Sequence, residues 1–398
     1  MIITFPHMGQ AWVPIKTLCA RNGVEVIVPP KCSKRTLSLG TKYSPEWVCM
    51  PFKTILGNYI EALELGADTV LGVAGPGLCR LGYYSKLHES ILRGLGYNFT
   101  MLCFNWQDGQ IMGLVKFIRT IFGDAPWRKI IGDVRYGLSQ LFLLDEIERR
   151  THYLRAREKE VGATTRVWRT VGERIANAED SKALKRVKEE IYSELNAIEL
   201  DPTVQPLRVG ILGEFFMAME PFCNLDIEEE LGRMRVEVTR AAYLSDWAKV
   251  WLFLEALGMS HGQKVKKAAS PYLSRDVSGD AVQSLGETIL HANEGFDGIV
   301  HLQPFTCMPE IIAQNIFPRV SRDFDIPVLC LILDEQMGKA GLQTRLEAFV
   351  EMMERRRQRR QREGAASSAG ATHSRKELAS LLGKLSALQT TGHCQPKQ

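Results

Sequence analysis

Phe296-Asp297-Gly298-Ile299-Val300-His301-Leu302-Gln303-Pro304-Phe305-Thr306-Cys307-Met308-Pro309-Glu310 is the stretch that decides the fold. Its apolar, β-rich run from Gly298 to Leu302 predicts a buried strand. A helix is expected to open at Pro309, where proline is tolerated because a first-turn N–H has no helical partner. Cys307 falls in the connection between them. In an open α/β sheet, ligands bind in the loops that follow strands. A thiol in such a loop, near a helix N-terminus, is biased toward thiolate, the form that binds metal.

Working outward, the same alternation recurs on both sides. Further strands are predicted at Leu207–Gly213, Arg233–Thr239 and Ile326–Leu333, with helices near Ile227, at Ser245–Leu257, Ala281–Glu294, Pro309–Ile316 and Leu342–Arg356. The first third reads alike. Strands are expected at Met1–Phe5, Val24–Pro29, Asp68–Ala74 and Asn98–Phe104, and helices at Ala11–Arg21, Pro51–Leu65, from Tyr83, and at Ile111–Phe122. Alternation at this spacing predicts parallel sheets covered by helices. Tyr136–Leu200 is charged and shows no strand pattern, so it reads as two or three surface helices forming a solvated arm or a docking surface. The expected class is α/β: two Rossmann-like parallel-sheet domains, a helical arm between them and a disordered basic tail. The boundaries are 1–135, 136–203, 204–356 and 357–398, the last with a short amphipathic segment through Leu378, Leu381, Leu382, Leu385 and Leu388.

The 398 residues suit two domains. Net charge is +4, and six arginines lie between Arg355 and Arg362, so the body is close to neutral. That argues against a broad nucleic-acid face. The arginine run reads as a solvated helix end, with contact to RNA or an acidic partner as the alternative. No run of about 18 apolar residues is present to span a membrane, and MIITFPHMG lacks the pattern of a signal peptide. Nine dispersed cysteines do not resemble a secreted disulfide framework. A reducing cytoplasm is the expected location.

Cys49, Cys79 and Cys307 share one local grammar: each lies in a loop just ahead of a predicted helix, and two directly follow a predicted strand. Widely spaced thiolates meeting in an interdomain cleft suit an iron–sulfur cluster, not the paired spacing of structural zinc. Against this stands the ordinary role of dispersed cysteines as small buried apolar residues. Cys103 and Cys330 fall in strands and Cys19 in a helix, and all three read as core. Cys32 and Cys223, in loops, are weaker candidate ligands. His7, in the first strand–helix loop, Arg80 and Glu310 are candidates for shaping the site. His7 is weighed against a local hydrogen-bonding role, Arg80 against a helix-start role, and Glu310 against simple capping. No Walker A motif occurs, because Gly72–Gly82 lacks a Gly-Lys-Ser/Thr ending, so no ATP site of its own is expected.

Several stretches carry a resemblance: Ile3-Thr4-Phe5-Pro6-His7-Met8-Gly9, Lys34–Gly40, Tyr43–Lys53, Cys79–Tyr84, Glu220-Pro221-Phe222 with Asn224–Glu228, Tyr243–Trp247, Pro304–Glu310 and Leu333-Asp334-Glu335-Gln336. Through them the chain resembles proteins related to 2-hydroxyacyl-CoA dehydratase components, the CoA enzyme activase (CoA protein activase) family. The matched part is the domain found without, or fused behind, the ATPase activator module. The resemblance implies a [4Fe-4S] cluster between two Rossmann-like domains, held by Cys49, Cys79 and Cys307. It also implies low-potential electrons from a separate ATP-hydrolysing activator and reduction or dehydration of a small substrate. Pro76 stands where many relatives carry a further cysteine, and Gly279-Asp280-Ala281 replaces a Gly-His-Gly. These departures favour the rival expectation, a non-catalytic scaffold or partner protein that keeps the fold without the chemistry. Whether two copies pair as a homodimer is left open.

Overall fold

The computed structural model describes residues 1–72, 75, 79–104, 110–249 and 261–363. Pro76, Cys394 and the leucine-bearing tail therefore lie outside the described residues. Met1–Glu347 forms one compact unit. It begins with β1 (Ile2–Thr4), α1 (Trp12–Arg21), β2 (Glu25–Val26), α2 (Lys34–Tyr43), α3 (Met50–Glu64), β3 (Thr69–Gly72), α4 (Tyr84–Gly94), β4 (Thr100–Cys103) and α5 (Gln110–Phe122). The second series is β5 (Leu207–Gly213), α9 (Phe215–Met219), α10 (Pro221–Asn224), α11 (Ile227–Arg233), β6 (Val236–Arg240), α12 (Leu244–Lys249), α13 (His261–Ala269), α14 (Ala281–Asn293), β7 (Gly298–Pro304), α15 (Met308–Asp323) and β8 (Val328–Leu333). Between them run α6 (Trp127–Arg155), α7 (Ala163–Ala176) and α8 (Ser181–Asn196).

The two sheets repeat one topology. Their strand orders are β2-β1-β3-β4 and β6-β5-β7-β8, with every pairing parallel. The fold is therefore α/β with two Rossmann-like sheets. Each sheet reverses direction once, between β1 and β3 in the first and between β5 and β7 in the second. β7 is buried along its whole length, as a central parallel strand covered on both faces must be.

Three local readings change. The Tyr136–Leu200 segment is not merely a solvated arm. Leu144, Ile147, Leu154, Val171, Ile175, Ile191 and Leu195 build a core with Phe5, Trp12 and Val13. Its helices keep a polar outer face, which is what the charge-rich composition recorded. α15 does not stop at Ile316 but passes through Pro318 to Asp323. The last helix runs from 339 to 363, through most of the arginine run, where Arg355 pairs with Glu351 at 2.5 Å and Arg359 with Glu363 at 3.7 Å, both at helical spacing. Beyond Lys249, the helix expected to reach Leu257 enters residues that are not described.

α2 was not foreseen as a helix. Ser33 and Thr36 form a capping box at its start. α2 and α3 cross at two glycines: a Cβ on Gly40 would lie 1.7 Å from the Lys53 carbonyl oxygen, and one on Gly57 1.9 Å from that of Thr36. Gly40→Ala therefore forces the helices apart and should cost at least the roughly 1–3 kcal/mol of overpacking. Denaturant unfolding would test this; a variant within about 0.5 kcal/mol of wild type would refute the close crossing. The shift would also disturb Lys53, whose buried Nζ donates at 2.9 Å to Oε1 of Glu335, two residues beyond β8.

Candidate metal centre

Ligand sites in open α/β sheets form at the carboxyl ends of strands where the order reverses. The two reversals here place the loops after β1, β3, β5 and β7 in that position. Those loops carry His7, Cys79, Glu214 and Cys307 respectively. Cys49 arrives differently, from the α2–α3 connection.

All three predicted cysteines occupy the residue immediately before a helical segment. Cys49 precedes α3, Cys307 precedes α15, and Cys79 precedes a short 3-10 turn, Arg80–Tyr83. Pro51 and Pro309 stand in the first turns of α3 and α15, where proline leaves the helix intact. Cys49 and Cys307 are buried and Cys79 partly so.

Arg80 ties the three loops together. Its guanidinium donates to the Trp47 carbonyl oxygen at 2.8 Å, to the Thr306 carbonyl oxygen and to Thr306 Oγ1 at 3.3 Å. Thr306 Oγ1 also donates to the Trp47 carbonyl at 3.3 Å. Arg80 follows Cys79, Thr306 precedes Cys307 and Trp47 is two residues before Cys49, so one side chain spans all three cysteine segments. Thr306 holds a left-handed φ of +65°, a conformation that threonine seldom adopts. Gly279, with φ +64°, closes the other side: a Cβ there would stand 2.7 Å from Pro309 Cγ and 4.0 Å from Cys79 Sγ. The start of α14 therefore lies against both the Cys79 sulfur and the first turn of α15.

The electrostatics are strongly acidic. Burial pushes all three thiols up, and the carboxylate of Glu214 adds to the rise at each. A Cys49 charge acts on Cys307 as well. None of the sulfurs makes a short capping hydrogen bond, but the amides of Phe52, Leu81 and Glu310 work in the opposite direction on Cys49, Cys79 and Cys307 respectively. Cys49 Sγ also meets Tyr84 Oη at 2.5 Å. Burial and the neighbouring Asp280 push Glu214 up to about 8; burial and Glu310 push Asp280 up to about 7. Cys49, Cys79 and Cys307 thus lie on segments bridged by Arg80 and feel the carboxyls of Glu214, Asp280 or Glu310, and thiol and carboxyl are donor types that metals take.

Of the other candidates, Glu310 is fully buried and lies at the third residue of α15. His301 Nε2 meets its Oε2 at 2.5 Å, and Ser284 Oγ donates to the same oxygen at 2.9 Å. His7 is buried and joined to Glu220, in a separate group with Cys32. Cys223 Sγ lies 3.5 Å from Thr54 Oγ1. Cys103 ends β4, Cys330 lies in β8 and Cys19 in α1. Glu214, Asp280 and Tyr84 were missed. Glu214 had a readable signal, being the first residue after β5 at a strand-order reversal. Asp280 occupies the segment already singled out as Gly279-Asp280-Ala281. A cavity of about 60 Å³ lies elsewhere, lined by Leu144, Glu148, Arg155, Glu228 and Arg240 among others, with no cysteine in its wall.

Comparison with family models and with curated proteins finds no match for the chain. Among the described residues, no helix is long and apolar enough to cross a membrane.

Proposed function

We propose that the chain is an iron–sulfur redox protein, in line with its resemblance to the 2-hydroxyacyl-CoA dehydratase-related activase family. Cys49, Cys79 and Cys307 would hold a [4Fe-4S] cluster in the cleft. The observation that carries this reading is the Arg80 clamp, which draws together three cysteine-bearing segments that are 30 and 228 residues apart in sequence. Such a cluster, bound by three thiolates, would supply low-potential one-electron chemistry and leave one iron without a cysteine ligand.

The surrounding residues suit an anionic centre. Glu214, with its pKa near 8, is largely protonated at neutral pH and adds little repulsion. Arg80 contributes a positive charge beside Cys79. Tyr84 orients Cys49. The eight described cysteines are all free, which fits a reducing cytoplasm. The rim of the site is apolar and exposed: Trp47, Tyr83, Phe305 and Met308 expose 65%, 66%, 48% and 41% of their surface. Exposed apolar groups clustered on functional loops mark interaction surfaces. This supports docking of a separate ATP-hydrolysing electron donor, with a small substrate reduced or dehydrated at the site.

Anaerobic purification followed by iron and acid-labile sulfide analysis tests the reading. About four of each per chain are expected, with an EPR signal after dithionite. Each of Cys49→Ala, Cys79→Ala and Cys307→Ala should lose the cluster, and Arg80→Ala should retain less iron than wild type. Full iron content in all three cysteine variants would sink the assignment.

A further inference from the structure

His7, Cys32 and Glu220 form a second group whose ligand atoms all lie within 4.8 Å of one another. They expose only 6%, 8% and 3% of their surface. His7 comes from the loop after β1, Cys32 from the residues before α2, and Glu220 from the turn between α9 and α10, so the group joins the two sheet domains. We propose that it is a mononuclear site for a zinc-class divalent ion, with His7, Cys32 and Glu220 as its protein ligands and the ion acting as a staple between domains.

The donor set is the first argument. One imidazole, one thiol and one carboxyl are the ligand types that borderline divalent metals share, and three protein ligands are sufficient for such a site. Spacing is the second. His7 Nδ1 and Glu220 Oε2 are 2.9 Å apart; two ligand atoms bound tetrahedrally at about 2.0–2.1 Å would stand about 3.3 Å apart, so a small opening suffices. Support from neighbours is the third. The Gly9 amide donates to Glu220 Oε2 at 2.9 Å, and that of Phe222 to Oε1 at 3.4 Å. Asn58 Oδ1 accepts from the His7 amide at 3.2 Å, while Asn58 Nδ2 donates to Cys32 Sγ at 3.5 Å. Ligating groups held in this way by outer contacts are a regular feature of metal sites. Burial pushes the Cys32 thiol far up, the charge of Glu220 adding to it; ion binding would replace that proton.

A comparison within the molecule sharpens the point. Glu148, His152 and Glu228 also cluster. There the Arg240 guanidinium donates to Glu148 and to Glu228, the latter at 3.0 Å. The cation position is already filled by an arginine. Among the described residues, no lysine or arginine forms an ion pair with Glu220, whose side-chain partner is His7.

Metal-free full-length protein would be titrated anaerobically with Co²⁺. In the variant C49A/C79A/C307A, which lacks the three thiols assigned to the cluster, one Co²⁺ per chain should bind and give tetrahedral d–d bands with a thiolate charge-transfer band. Cys32→Ser in that background should abolish the charge-transfer band, while Cys223→Ser should leave it. Glu220→Gln should weaken binding by at least the roughly 10–100-fold that loss of an outer-shell partner costs. A folded variant that binds no Co²⁺, or a charge-transfer band that survives Cys32→Ser, would overturn the proposal. Should the multiple variant not fold, crystals of the wild-type chain soaked in Co²⁺ decide the matter. An anomalous peak between His7, Cys32 and Glu220 supports the site, and its absence there refutes it.

Discussion

In the metal-free protein, Glu214→Gln is expected to stabilise the fold at alkaline pH and to leave it unchanged in acid. Burial, followed by the charge of Asp280, pushes the Glu214 carboxyl from an ordinary 4.5 up to about 8. The fold therefore prefers the neutral acid. Below pH 4.5 the carboxyl is protonated in both folded and unfolded chains, and no stability depends on it. Between 4.5 and about 8 the unfolded chain ionises while the folded chain stays protonated, so stability falls as pH rises. Above that range the loss is complete. A shift of this size corresponds to at most about 5 kcal/mol, and Glu214 is only half-buried, so about 3 kcal/mol is the reasonable expectation. Glutamine keeps the acceptor that receives the Met217 amide at the start of α9. Denaturant unfolding of both proteins from about pH 4 to about pH 9 should give curves that coincide in acid and separate toward base. Curves that stay parallel would show that Glu214 is not held neutral. Once ionised, Glu214 opposes ionisation of Cys49, Cys79 and Cys307 alike, so in the variant these thiols should react faster with an alkylating reagent above about pH 8, where the wild-type carboxylate is charged, and at an unchanged rate near neutral pH.

How far this site could be read in advance depends on which of its interactions are local. β5, β7 and β8 were legible because a buried parallel strand is a continuous apolar run. The placement of Cys49 and Cys307 before helices was legible from Pro51 and Pro309. Arg80 was legible only as a cysteine's neighbour, since its acceptors Trp47 and Thr306 come from distant segments. The grouping of His7 with Cys32 and Glu220 was not legible. It depends on how closely the loop after β1 approaches α9, a closeness set by Gly9, where an added Cβ would stand 2.6 Å from the Met219 carbonyl oxygen. α2 was obscured because its apolar side packs through glycine and threonine, not through leucine: its buried residues are Thr36 and Gly40. The arm's core was hidden for the opposite reason, its many charges on the outer face masking a regular apolar stripe.

The second large effect is expected at His301. Its Nε2 meets Glu310 Oε2 at 2.5 Å, and both side chains are wholly inaccessible. Among the described residues, His301 Nδ1 and Glu310 Oε1 have no hydrogen-bond partner, so each group depends on the other and on Ser284. Removing one member of such a pair strands the other in a medium that solvates it poorly. His301→Leu should therefore cost about 3–5 kcal/mol, lowering the melting temperature by roughly 10 °C. Replacing both members has a different consequence, because no polar group is then stranded. The double variant H301L/E310M should recover most of that loss, although Ser284 Oγ loses its acceptor. A double variant as unstable as the single one would mean that the imidazole's packing on Phe317, with ring centroids 4.8 Å apart, outweighs the pairing. The double variant also reaches the cysteines. Glu310 lies three residues after Cys307, and its carboxylate helps to hold that thiol, Glu214 and Asp280 in their protonated forms. With Glu310 gone, Cys307 should ionise at lower pH than in the wild-type chain, read as an earlier rise in alkylation rate with pH. The pairing that stabilises the start of α15 thus also opposes charge at its cysteine, and the two roles separate only when both partners are replaced.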